Sequence, residues 1–75
     1  MKTIHNFSVV IERDKNGFFA FCPELQGCYA QGSTHEEAFA NIKDVIKLHV
    51  ADIQAENEEL PETELMSLST VSIAV

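Results

Sequence analysis

Basic residues are scarce in this chain: five lysines and arginines stand against twelve acidic residues, a formal net charge of −7 at pH 7. A surface of that sign repels a phosphate backbone, so direct nucleic-acid binding by the chain alone is not expected. No apolar run approaches the ~20 residues that a membrane helix needs. The opening Met1-Lys2-Thr3-Ile4-His5 has no apolar stretch of the secretory kind, and the expected location is the cytoplasm. The glycines form neither a GxxxxGK nor a GxGxxG pattern, which removes the phosphate-cradling loops. Only two cysteines occur, Cys22 and Cys28, at a separation that suits no zinc site, and no second ligand pair accompanies them. In a reducing compartment they read as free, buried thiols.

Catalytic groups are equally sparse. His5, His35 and His49 have no metal-ligand spacing, and no Ser or Cys sits in a nucleophile elbow. His49 falls on an apolar helical stripe, where a histidine is more often a satisfied boundary residue than a ligand. No catalytic, cofactor or metal residue is therefore expected, and the chain reads as a non-enzyme.

What the sequence does contain is punctuation. Asp14-Lys15-Asn16-Gly17 is a turn in which two strands can reverse. Phe18 to Cys22 reads as a short strand, ended by Pro23, and Gly27 permits the return into a third strand, Cys28 to Gln31, closed by Gly32. Thr34 fits a helix N-cap with Glu37 three residues on, the spacing of a capping box, and Glu36 and Glu37 lie where the helix dipole favours negative charge.

The remaining elements follow from period. Residues 4–12 alternate as a first strand, with Phe7, Val9 and Ile11 on one face. From His35 to about Glu56 the period becomes helical: Ala38, Phe39, Ile42, Val45, Ile46, His49, Val50 and Ile53 form one stripe. Pro61 opposes continuation, and residues 70–75 alternate Val71, Ile73 and Val75 with small residues, as a last strand would. The expected fold is α+β, a single domain over residues 1–75 in the order β-β-β-α-β. An antiparallel three-strand meander is followed by a helix on one face and a last strand parallel to the first.

Two features point beyond the monomer. The second strand is apolar on both sides, and one helix covers one face only. Val10, Phe19 and Phe21 are left as an exposed patch of the kind that marks an interface, so a homodimer is expected. Cover by residues 57–69 is the competing reading. In addition, residues 51–64 hold Asp52, Glu56, Glu58, Glu59, Glu62 and Glu64 with no lysine or arginine. The bland reading is a solvated helix end; the functional one is an acidic face that steers a basic partner.

The ordered set Asn16-Gly17-Phe18, Cys22-Pro23-Glu24-Leu25, Gly27-Cys28, Gln31-Gly32-Ser33-Thr34 and Glu37-Ala38 resembles the HicB-like antitoxin family across nearly the whole chain. The resemblance implies a partial ribonuclease-H-like fold and a role in neutralising a small basic HicA-type toxin that cleaves mRNA. Gly17, Pro23, Gly27, Gly32, Thr34 and Glu37 are then fold-determining positions. Longer members append a DNA-binding domain. The sequence stops at Val75 with the last expected strand, so DNA binding is not carried over. Two other readings stand beside this one: an orphan oligomeric scaffold or regulatory binding protein, and an acidic-residue nuclease resting on Glu12, with which the helix carboxylates Glu36, Glu37 and Asp44 are not expected to converge.

Overall fold

A computed structural model describes residues 4–61 and 66–75. The Asp14–Gly17 reversal organises its first hairpin. The Asp14 carboxylate accepts a hydrogen bond from the Asn16 amide at 2.7 Å, and Gly17 takes φ +128°, a value that side-chain-bearing residues rarely adopt. The turn joins β1 (Val10–Asp14) to β2 (Gly17–Phe21) in antiparallel register, with Asp14 opposite Gly17 and Val10 opposite Phe21. β3 (Tyr29–Gly32) pairs with the other edge of β2, so β2 is central and the order is β1-β2-β3.

The first strand is shorter than the expected 4–12. β2 stops at Phe21, because Cys22 and Pro23 lead into the loop, so residues before Val10 have no strand to pair with. Ser8 instead donates its amide to the Glu24 carboxylate at 3.0 Å. The loop between β2 and β3 is closed by its own backbone: Cys22 N–H bonds the Cys28 carbonyl at 3.0 Å, and Gly27 turns the chain at φ +77°.

α1 (His35–Ala55) starts and stops on side-chain and backbone signals that the sequence carries. The Thr34 hydroxyl accepts from the Glu37 amide at 3.0 Å, and the Glu37 carboxylate accepts from the Ser33 amide at 3.1 Å, one residue before the cap. At the far end Glu58 N–H reaches the Ile53 carbonyl and Asn57 N–H reaches that of Gln54, with Asn57 at φ +58°. This is the left-handed termination that satisfies the last carbonyls of a helix.

One helix on one face of a three-stranded antiparallel sheet gives the α+β core expected. Ala20, Cys22, Leu25, Cys28, Ala38 and Ile42 are fully buried, with Phe7, Val9, Ile11, Phe18, Val45, Ile46 and Ile53 packed around them. Phe39 departs from the expected stripe: it is 44% exposed, lying under the Lys43 ammonium at 5.9 Å rather than against the sheet. The fourth strand expected over 70–75 is not formed. Residues 66–75 carry neither strand nor helix and are exposed throughout. Alternation supplies only the side-chain half of a strand; the backbone must also meet an edge, and here it does not.

The helix approaches the sheet closely at one point. A Cβ built on Gly32 would stand 2.5 Å from the Ala38 nitrogen and 2.9 Å from the Glu37 carbonyl carbon, both backbone atoms that cannot step aside. Gly32→Ala should therefore lower stability by about 1–3 kcal/mol or more, as overpacking does. Thr34→Ala, which removes one cap bond, should lower it by about 1 kcal/mol. Urea denaturation followed by helical circular dichroism ranks the two, and a Gly32→Ala midpoint equal to wild type would refute the close approach.

Candidate partner-binding surfaces

The alternation of β2 divides its side chains between two environments. Phe18, Ala20 and Cys22 point at α1, whereas Phe19 and Phe21 point away from it. On that outer face the Phe19 ring lies 6.2 Å from Phe21 and 5.8 Å from Tyr29, centroid to centroid. The register sets Val10 directly opposite Phe21 and Glu12 opposite Phe19. The structure thus brings Val10, Phe19 and Phe21 together as one apolar patch and adds Tyr29, 60% exposed, which lies beside it on β3. Tyr29 was readable from strand alternation once its register was known, but nothing in the sequence fixes that register.

The acidic set lies elsewhere. Asp52 is exposed on the last turns of α1, and Glu56, Glu58 and Glu59 follow at its exit. Glu62 and Glu64 fall outside the described residues. No basic residue occupies the last helical turn. Carboxylates there face the negative end of the helix dipole, an arrangement that costs stability unless a cation neutralises it.

Carboxylates of the nuclease reading are dispersed. Glu12 stands on the outer sheet face, Glu36 and Glu37 in the first helical turn, and Asp44 farther along the helix surface. Among the described residues no group of three or more His, Cys, Asp and Glu side chains could hold a metal ion. None of the described helices is long and apolar enough to cross a membrane. Two histidines have structural contacts: the His35 ring meets Phe18 edge-on at 6.3 Å, and His49 Nδ1 donates to the Val45 carbonyl at 3.0 Å.

Glu24 is the residue whose role sequence reasoning missed. Its Oε1 accepts from the Ser8 amide and also faces the Cys22 sulfur at 3.4 Å, so one carboxylate ties the approach to β1 to the loop after β2. Both cysteines are free and buried. Burial, reinforced by the Glu24 carboxylate, pushes the Cys22 thiol from an ordinary 9.0 up to about 11. Burial also raises Cys28, and the Cys22 side chain offsets part of that rise.

A thiol that resists ionising in the folded state ties stability to alkaline pH. Below about pH 9 it is protonated both folded and unfolded, and nothing is lost. Between about 9 and about 11 the unfolded chain ionises first, so folding stability falls as pH rises through that window. Urea midpoints measured from pH 8 to 11 should decline, and the decline should shrink in Cys22→Ala. Native protein at pH 8 should react with an aromatic disulfide reagent far more slowly than protein in urea; equal rates would contradict the buried placement.

Comparison with known proteins adds what geometry alone does not give. The family described as HicB_like antitoxin of bacterial toxin-antitoxin system matches residues 7–72. A UPF0150 protein of Synechocystis is 41% identical over 66 residues, covering 87% of this chain and 84% of that one. One of Helicobacter pylori is 51% identical over 49 residues, covering 65% and 68%. One of Thermoplasma acidophilum is 36% identical over 56 residues, covering 73% and 81%. No solved structure matches the chain significantly.

Proposed function

Since this chain belongs to the HicB-like antitoxin family, we propose that it neutralises a HicA-type toxin, a small basic ribonuclease, by covering its RNA-binding and catalytic face. The family match carries the toxin–antitoxin role. The helix end carries the choice of surface: Asp52, Glu56, Glu58 and Glu59, with Glu62 and Glu64, are the toxin-facing groups. The carboxylates of Asp52, Glu56, Glu58 and Glu59 oppose the helix dipole in the free protein, and a basic partner relieves that conflict. Long-range attraction between an acidic domain and a basic toxin accelerates encounter, and apolar contacts then hold the complex. Blocking access in this way involves no chemistry, so no reaction is assigned to the antitoxin.

The outer sheet face supports the second half of the proposal, a homodimer packed through Val10, Phe19 and Phe21. Burying one such phenylalanine contributes about 1.5–3 kcal/mol, which is substantial for a domain of this size. This face also favours the rival reading, an oligomeric scaffold or regulatory binding protein with no toxin.

Co-expression separates the two. Wild-type protein should rescue growth from a HicA-type toxin encoded beside it and should bind that toxin in a pull-down; neither binding nor rescue would leave the scaffold reading standing. In stopped-flow association, combined Asp52→Asn, Glu56→Gln, Glu58→Gln and Glu59→Gln substitutions should slow the on-rate by roughly tenfold at low salt and flatten its salt dependence. An unchanged on-rate would move the toxin contact away from the helix end.

A further inference from the structure

The core is left open at one edge of the sheet. On the β3 side, the Asn41 side chain donates from α1 to the Gln31 carbonyl at 2.8 Å and ties the helix to that strand. β1 pairs only with β2, so its other edge has no strand partner. Beside that edge the helix overhangs the sheet: its 21 residues span about 31 Å, whereas a five-residue strand spans about 17 Å. The overhang leaves a groove of about 330 Å³ lined by Phe7, Ile46, Val50 and Leu60, with His5 and Gln54 at its rim. Phe7 and Ile46 are core residues that the three strands cover only in part.

The chain also carries an unmatched apolar arm. Leu68, Val71, Ile73 and Val75 are 83, 77, 74 and 120% exposed. Val71, Ile73 and Val75 are spaced two apart, so a strand made of this segment would present all three to one side. The arm does not lie back on its own domain. The molecule extends 50 Å along its longest axis, well beyond the helix, and its radius of gyration of 14.5 Å exceeds the roughly 11 Å typical of a folded chain this long.

From this pairing of an empty groove with an outstretched arm, we infer that residues 70–75 of one copy add as a fourth strand to the β1 edge of a second copy. Val71, Ile73 and Val75 then enter the groove over Phe7 and Ile46, and the exchange is reciprocal. Backbone pairing supplies the strand with its missing partner, and the apolar side chains complete the neighbouring core. Exchange also removes the exposed edge of β1, which otherwise invites uncontrolled association. A second copy is the occupant because residues 66–75 are exposed throughout on their own domain and because Val10, in the proposed dimer face, belongs to β1 itself. The inference rests on the homodimer reading.

The test uses the intact protein. Solution mass comes first, followed by an isotope-filtered nuclear Overhauser experiment on dimers refolded from labelled and unlabelled chains. The expected result is a dimer with cross-chain contacts from the Val71 and Ile73 methyls to the Phe7 ring and the Ile46 methyl. Val71→Asp with Ile73→Asp, at positions exposed in the structure, should weaken dimerisation on the order of 100-fold with helix content unchanged. A dimer whose arm contacts are absent or lie within one chain overturns strand exchange and leaves the sheet-face dimer intact. A monomer at high micromolar concentration overturns both.

Discussion

The contact on which the architecture depends is the backbone approach of Gly32 to the first turn of α1. A side chain at this position would collide with Ala38 N and the Glu37 carbonyl carbon, so the helix can settle onto β2 and β3 only where the strand ends without one. The buried centre is built to the same close spacing, from two alanines, two cysteines, Leu25 and Ile42. A core of such small groups brings the layers near one another but contains little apolar volume. Its perimeter, Phe7, Val9, Ile11, Val45 and Ile46, therefore remains half covered. Much of the molecule's character as a binder follows from this. The apolar surface that a larger domain would bury internally is left here at the edge and on the outer face.

Local signals made much of the fold legible in the sequence. Thr34 and Glu37 announced the helix start three residues apart, and Gly17 and Gly27 marked reversals that the structure makes at positive φ. The two-sided apolarity of β2 already implies that Phe19 and Phe21 lie on the face away from the helix, where the structure has them. Less legible was whatever depends on a distant partner. The length of β1 is set by where β2 stops, and the bond from Ser8 to Glu24 spans 16 positions. Phe39 has the correct helical spacing for the core, yet it is left exposed beneath Lys43. The alternation of 70–75 led to the expectation of a fourth strand that is not formed, because pattern does not say whether an edge lies within reach.

Charge and apolarity are separated on this protein. Carboxylates gather at the exit of α1, while the aromatic cluster lies on the opposite side of the sheet from the helix. A partner attracted by the first need not compete with a partner held by the second. The two surfaces are thus spatially distinct on one small domain.

Glu24 gives the loop a reach that its sequence position conceals. Because a single oxygen answers both the Ser8 amide and the Cys22 sulfur, capping that sulfur with an adduct would disturb the anchorage of the chain's leading segment. Phe7 sits one residue from that anchor, so a chemical lesion in the loop would be felt in the groove that Phe7 lines.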